Sequence, residues 1–194
     1  MGYVRKEWSK NMNQLYRSPY EAYPFLCDTK DNLQCDFELL TDELASHTGL
    51  LRAKVMRYAK ENPNINLEIC EELTWVCEII YHINPTLRTH LTVTKAECEQ
   101  LKEKMERLQE KAKDRCKKFV LPMGSELACE AHLLRVEAKK LVRLIYHYIE
   151  YGNKVPDLLL DIANLLSGYF FALSLVLNLY ENVEEVPFIS RNYT

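Results

Sequence analysis

The amino-acid sequence predicts an all-α fold, a bundle of five substantial helices joined by short breaks. Five glycines and seven prolines in 194 residues are about half the usual content of these two residue types. A fold of many short strands needs many turns, whereas a few long helices need few. Apolar residues also recur at spacings of three and four along most of the chain, which is typical of amphipathic helices.

Composition and charge narrow the classes of function. Hydrophobic residues make up 47% and charged residues 27% of the chain, as in an ordinary globular domain, which excludes a fibre and a disordered tail. The formal net charge of −3 provides no general attraction to nucleic acid or to an anionic membrane. We therefore expect neither as a partner.

The chain divides into one helical domain with two flanking segments. Residues 36–185 form the predicted bundle. Residues 1–35 are an N-terminal arm whose tyrosine-rich second half contains Pro19 and Pro24. Residues 186–194 are a C-terminal tail.

The first two helices are each closed by a proline. The first runs from Asp36, which can cap it, to about Lys60, and Pro63 follows. The second runs from Asn66 to about Asn84. The apolar stripe of the first helix consists of Phe37, Leu40, Leu44, Leu51, Val55 and Tyr58.

The third helix begins at a capping box formed by Thr94 and Glu97, and its narrow apolar stripe extends to Phe119. Lys and Glu cover its other faces, so we expect it on the outside of the bundle.

The last two helices have the clearest sequence signals at their ends. The fourth runs from Ser125, a candidate cap, to Tyr151, and Pro156 suits the first turn of the fifth, which extends to Tyr180. The fifth helix is long and apolar enough to span a bilayer, but polar residues interrupt it. We predict that it is the central helix of a soluble bundle, with a membrane-associated helix as the alternative.

The seven cysteines form no C-x-x-C pair and follow no secretory signal, which indicates reduced thiols in the cytoplasm. Cys129 and His132 share a helical face, but no nearby residue completes a ligand set. We predict no metal site.

A cationic flank is the strongest candidate for chemistry. Arg135, Lys139 and Arg143 follow one another at i, i+4 and i+8, with Lys140 alongside, and backbone N–H groups at Ser125 are available to an anion. Converging cations suit a polyphosphate. The alternative is that they are exposed cations paired with the acids of the same helix, Glu126, Glu130 and Glu137.

Asp42 is the second candidate, because it lies opposite the apolar stripe of its helix. An ordinary solvated acid in a first turn explains this position equally well. The sequence contains no standard phosphate-binding loop and no local signature of a catalytic triad.

These residues resemble a known family. The segment Phe119-Val-Leu-Pro-Met-Gly-Ser125, followed by His132-Leu-Leu-Arg135, Lys139-Lys140 and Arg143, resembles the L-P-G-G-S…L-H-x-x-R…R-R-x-E-R segment of the ATP:cob(I)alamin adenosyltransferases of the propanediol-utilisation type. The spacing agrees without a gap.

Two further segments extend the resemblance over about residues 36–180. Thr41-Asp42-Glu43-Leu44 followed by Gly49-Leu50-Leu51-Arg52 is similar to the family's V-D-E-L-N…G-L-x-R helix. Asn164-Leu-Leu-Ser167 with Phe171 is similar to its N-R-L-S-D-x-L-F segment.

The resemblance implies a five-helix bundle assembled as a homotrimer, with ATP and the corrinoid meeting at subunit interfaces. The implied reaction transfers the 5′-deoxyadenosyl group of ATP to cob(I)alamin, giving adenosylcobalamin and triphosphate. Asp42 would pair across the interface with Arg135, and these two are the implied catalytic residues.

The resemblance also implies the remaining site residues. Lys139, Lys140 and Arg143 would hold the triphosphate with Mg²⁺, while Asn164 would contact the nucleotide. Phe171 would lie near the corrin, where it excludes water and the lower axial ligand.

The sequence departs from the family pattern at several positions. The T-x-x-G-D-x-G-x-T loop is missing from residues 1–35, and Lys139 and Lys140 replace arginines. Val142 stands where the family has Glu, and Gly168 where it has Asp. The competing interpretation is therefore a non-catalytic helical bundle of the same fold, which binds a corrinoid or a protein partner.

Overall fold

The computed structural model describes residues 16–29, 32–62, 67–115 and 119–192. The helices are α1 (Leu33–Glu61), α2 (Glu68–Ile83), α3 (Lys95–Lys111), α4 (Glu126–Glu150) and α5 (Asp157–Tyr180). Among these residues the only β-pairing is an isolated bridge between Val120 and Pro187. The predicted all-α fold of five helices is confirmed.

The most apolar helix, α5, lies at the centre. It packs against α3 and α4, whereas α1 packs against α2 and α4. Among the described helices α5 alone is long and apolar enough to cross a membrane, yet 61% of its most apolar window is buried inside the bundle. The core therefore accounts for most of its apolar surface, as predicted.

The first helix begins earlier than predicted. Asn32 caps α1, because its side chain accepts a hydrogen bond from the backbone N–H of Gln34. Asp36 lies within the first turn, so its predicted capping role is wrong. A carboxylate there still interacts favourably with the helix dipole.

The third helix ends earlier than predicted. The Thr94–Glu97 capping box is present, but α3 ends at Lys111 and Phe119 is 84% exposed. Only Leu101 and Leu108 of α3 are buried. The outer position of this helix is confirmed, whereas the extension of its stripe to Phe119 is wrong.

The boundaries of the last two helices agree closely with the sequence. The Ser125 hydroxyl caps α4 by accepting from the N–H of Ala128 at 3.2 Å. Gly152, with φ +86°, follows the C-cap of α4 in the left-handed region that favours glycine. Pro156 is the N-cap residue of α5, one position before the predicted first turn.

The residues after α5 return along the start of α4. The backbone N–H of Leu121 donates to Val186, and that of Phe188 donates to Phe119, both at 2.8 Å. Arg115 fastens this segment with hydrogen bonds to the Val183 carbonyl (2.6 Å) and the Glu185 carboxylate (2.9 Å).

The segment before α1 is held by Arg88, which follows α2. Its guanidinium donates to Glu38 at 2.7 Å and Asp28 at 2.9 Å, and it stacks 3.6 Å from the Phe25 ring centroid. Tyr23 also donates to Glu38. Glu38 is only 6% exposed, so Arg88 provides the charge that a buried carboxylate requires.

Candidate active site

The cations of α4 line a groove beside α1. Lys54 pairs with Glu126 and Glu130, whereas the earlier His47 meets the later Glu137, so the two helices run antiparallel. Farther along, a groove of about 520 Å³ is lined by Lys139, Lys140, Arg143, Asp36 and several apolar residues. Three of the predicted site residues therefore converge on one space.

These cations are not neutralised by the acids of their own helix. Glu126 and Glu130 pair with Lys54 at 2.8 and 2.5 Å, and Glu137 contacts His47 at 2.7 Å. Among the described residues, no carboxylate lies within 4.0 Å of Lys139, Lys140 or Arg143. The predicted ion pairs along α4 are therefore absent among the described residues. The three cations are exposed, as that alternative expects, and Asp36 is the acid that shares their groove.

Arg135 lies one turn before these cations and is half-buried. Its Nε atom is buried without a hydrogen-bond partner among the described residues. The guanidinium carbon lies 5.9 Å from the centroid of the Phe171 ring, and burial lowers the pKa of Arg135. A half-buried cation without a carboxylate partner lowers the stability of an isolated chain. An anionic group from outside the chain would remove this cost.

The aromatic neighbours of Arg135 form a small cluster. His132 is 5% exposed, its ring lies 6.3 Å from that of Phe171, and its Nδ1 atom has no partner among the described residues. Burial, followed by the charge of Arg135, lowers the pKa of His132 to about 4. His132 is therefore neutral at physiological pH, and it adds no charge beside Arg135.

Asp42 is exposed on α1, as its predicted position opposite the apolar stripe implies. It accepts a hydrogen bond from the hydroxyl of Tyr81 on α2 at 2.8 Å. Within the described part of this chain Asp42 makes no contact with Arg135. Their predicted pairing across subunits stays a prediction.

Ser125 is occupied by internal contacts. Its backbone N–H donates to Oδ1 of Asn178, which is fully buried, at 2.9 Å. Gly124 allows this approach, because a Cβ there would lie 2.2 Å from the same oxygen. The Ser125 N–H therefore has no free capacity for the predicted anion, and the hydroxyl is used as the cap.

Two residues of α5 reach toward Arg135, whereas Asn164 does not. The Ser167 hydroxyl donates to the Arg135 carbonyl at 3.5 Å, one turn before Phe171. Asn164 is exposed, and its amide nitrogen donates to the Leu160 carbonyl at 2.9 Å.

Two of the departures from the family pattern, Gly168 and Val142, have packing explanations. A Cβ at Gly168 would lie 2.5 Å from Sδ of Met105 on α3, so glycine allows α3 and α5 to approach closely. Val142 packs against the hydrophobic core. Both positions contribute to packing between helices.

Comparison with known proteins decides the family. The sequence profile of the cobalamin adenosyltransferases matches residues 29–177, about three quarters of the chain. The chain belongs to the cobalamin adenosyltransferase family. Membership confirms the predicted enzyme class, a transferase that acts on a corrinoid.

Solved structures agree with the fold. One similar structure is a phenylalanine-to-histidine variant of a PduO-type ATP:corrinoid adenosyltransferase from Lactobacillus reuteri, complexed with cobalamin and ATP. Its sequence is 20% identical and its TM-score is 0.71, and the match covers 89% of this chain and 97% of that one. An arginine-to-lysine variant from the same organism, complexed with ATP, is 21% identical with a TM-score of 0.67, covering 82% and 89%. No curated protein matches the chain in a sequence comparison.

Proposed function

We propose that this protein transfers the 5′-deoxyadenosyl group of ATP to cob(I)alamin, with the groove between α1 and α4 holding the triphosphate. The observation that carries the proposal is the convergence of Lys139, Lys140 and Arg143 on one groove. It lies next to the half-buried Arg135, whose Nε atom has no hydrogen-bond partner among the described residues. Membership of the family supports the reaction, and the arrangement of cations supports a phosphate site in this groove.

Electrostatics favour a polyphosphate in this groove. A single cation–phosphate pair at 4 Å is worth about 4 kcal/mol at an effective dielectric of 20, before desolvation, and three cations act together. Asp36, the acid that lines the groove, suits Mg²⁺, which takes one or two carboxylates together with substrate phosphates. Lys139 and Lys140 keep the charge of the family's arginines without their bidentate geometry, and the Lactobacillus reuteri variant with lysine in place of an arginine is complexed with ATP.

The reaction needs stabilisation of a leaving group. Cobalt(I) attacks C5′ of ATP, a cobalt–carbon bond forms, and the C5′–O bond breaks. The triphosphate leaves with the electron pair of that bond, and cobalt is formally oxidised by two electrons. Lysine and arginine side chains fixed around the triphosphate stabilise the charge that develops there.

We place the corrinoid and the completed site at an interface between copies of the chain, in a homotrimer. An Asp42 carboxylate from a neighbouring copy would satisfy Arg135, which has no carboxylate partner among the described residues. Phe171, whose ring centroid lies 5.9 Å from the guanidinium carbon of Arg135, would exclude water near the corrin. Asn164 would contact the nucleotide. The described cysteines are all free thiols, which suits a cytoplasmic enzyme.

The test is an anaerobic assay of adenosylcobalamin formation from cob(I)alamin and ATP, followed by absorption. We expect Arg135→Ala and Asp42→Ala each to lower kcat on the order of 100-fold or more, as for loss of a charged group that acts in the transition state. Lys139→Ala should mainly raise the KM for ATP. The matched control is Arg57→Ala, which removes an exposed arginine of α1 and should leave turnover unchanged.

The outcomes separate the two interpretations. Absence of turnover, together with an unchanged melting temperature on adding ATP, refutes the enzyme. Corrinoid binding without ATP binding would instead identify a non-catalytic member of the family. Sedimentation of the intact protein as a monomer at assay concentration would refute the trimeric site.

A further inference from the structure

Three metal-ligating side chains meet between α1 and α4, outside the cationic groove. Glu43 and His47 lie one helical turn apart on α1, and Glu137 reaches them from α4. One ligand atom from each of the three lies within 4.8 Å of the others. The antiparallel packing brings together residues 90 positions apart.

A second observation is the state of Glu137. Its side chain is only 8% exposed, and its Oε1 lies 2.7 Å from His47 Nδ1. The other carboxylate oxygen, Oε2, is buried and has no partner among the described residues. Burial, opposed by the contact with His47, raises the pKa of Glu137. An unpartnered carboxylate oxygen at this depth is costly, and a cation would satisfy it.

We propose that Glu43, His47 and Glu137 form a binding site for a first-row divalent transition metal of the Co²⁺, Fe²⁺ or Zn²⁺ type. One imidazole and two carboxylates are the mixed nitrogen and oxygen donors that such ions accept. The two carboxylates balance the charge of the ion, and exposed Glu43 leaves the outer positions open to water.

The geometry is compatible with a single ion. Two ligands of a tetrahedral ion at about 2.1 Å lie about 3.4 Å apart. This distance falls between the 2.7 Å of the His47–Glu137 contact and the 4.8 Å within which the three ligand atoms lie. His47 and Glu137 would move apart by less than about 1 Å as the ion replaces the hydrogen bond between them. Lys140, whose charge acts on Glu137, lines the neighbouring groove rather than the cluster.

The experiment is a titration of chelator-treated, reduced, full-length protein with Co²⁺, followed by visible absorption and equilibrium dialysis. We expect one Co²⁺ per chain without thiolate-to-cobalt charge-transfer bands. Glu137→Gln, and separately Glu43→Gln, should weaken binding on the order of tenfold or more. Because Glu43 is exposed, its variant removes a ligand without disturbing the core.

The control is Glu130→Gln on the same helix. Glu130 belongs to the same α1–α4 seam but pairs with Lys54, so this variant should bind Co²⁺ as the parent does. Equal binding by all variants, charge-transfer bands from thiolates, or no binding by the parent protein would each overturn the site. Neither ATP nor corrinoid enters the experiment, so its failure is independent of adenosyl transfer.

Discussion

Acid should destabilise this protein through His132, which lies buried beside Arg135. The structure lowers the pKa of this imidazole from 6.5 to about 4, first by burial and then by the positive charge of Arg135. The unfolded chain therefore binds the proton more readily than the folded one between these two pH values. The stability contributed by neutral His132 is fully present above pH 6.5 and is lost as the pH falls toward 4.

The size of the effect follows from the distance between the two pKa values. Each pH unit within the interval changes the free energy of unfolding by at most about 1.4 kcal/mol. Across the interval the total approaches about 3 kcal/mol, a large part of the stability of an ordinary domain. Glu137, whose pKa burial raises, contributes a slope of opposite sign, so the effect of His132 must be read from a comparison.

The comparison is between the parent protein and His132→Gln, which keeps a neutral polar side chain at every pH. Urea denaturation at fixed protein concentration gives the free energy of unfolding at several pH values from about 4.5 to about 7. We expect the parent to lose stability on acidification by about 2 to 3 kcal/mol more than the variant. Parallel pH profiles would refute the burial argument, because all other titrating groups are shared.

The same denaturation assay tests three further residues. Arg88→Ala should lower the free energy of unfolding by about 3 to 5 kcal/mol, because it leaves Glu38 buried without its charge partner. A decrease below about 1 kcal/mol would contradict this, since that is the contribution of an exposed ion pair. Gly124→Ala should cost about 2 to 4 kcal/mol, since its φ is +151° and its Cβ would meet Asn178. Gly49→Ala, with no atom within 4 Å of the added carbon, should stabilise α1 by about 0.5 to 1 kcal/mol, and equal effects of the two glycine substitutions would contradict this distinction.

Local sequence patterns predicted much of the fold because the helix signals are local. The capping box at Thr94 and the cap at Ser125 both depend on residues within one turn, and both are present. The extension of the third helix to Phe119 failed because apolar spacing does not mark where a helix ends: α3 ends at Lys111, and residues 112–115 form turns. The apolar stripe points to Asp36 as the cap, because it begins at Phe37 and Asn32 lies outside it. The helix nevertheless begins one turn earlier, capped by Asn32.

The candidate site was predictable only in part. Spacing along α4 places Lys139 and Arg143 on one flank, but it does not reveal whether acids neutralise them. That depends on Lys54 and His47, which lie on another helix and engage Glu126, Glu130 and Glu137. No local pattern points to such long-range pairs, and the contacts of Arg88 with the segment before α1 were missed for the same reason.

The segment after α5 is joined by hydrogen bonds to the N-cap of α4. Arg115, which follows α3, donates to Glu185, and Glu185 accepts from the Asn178 side-chain nitrogen at 3.4 Å. The side-chain oxygen of Asn178 accepts from the N–H of Ser125. These hydrogen bonds link four segments of the chain and end at the N-cap residue of α4, the helix that carries Arg135. Shortening the protein after α5 would thus remove a hydrogen-bonded contact at the N-cap of the helix that carries the side chains we propose to bind phosphate.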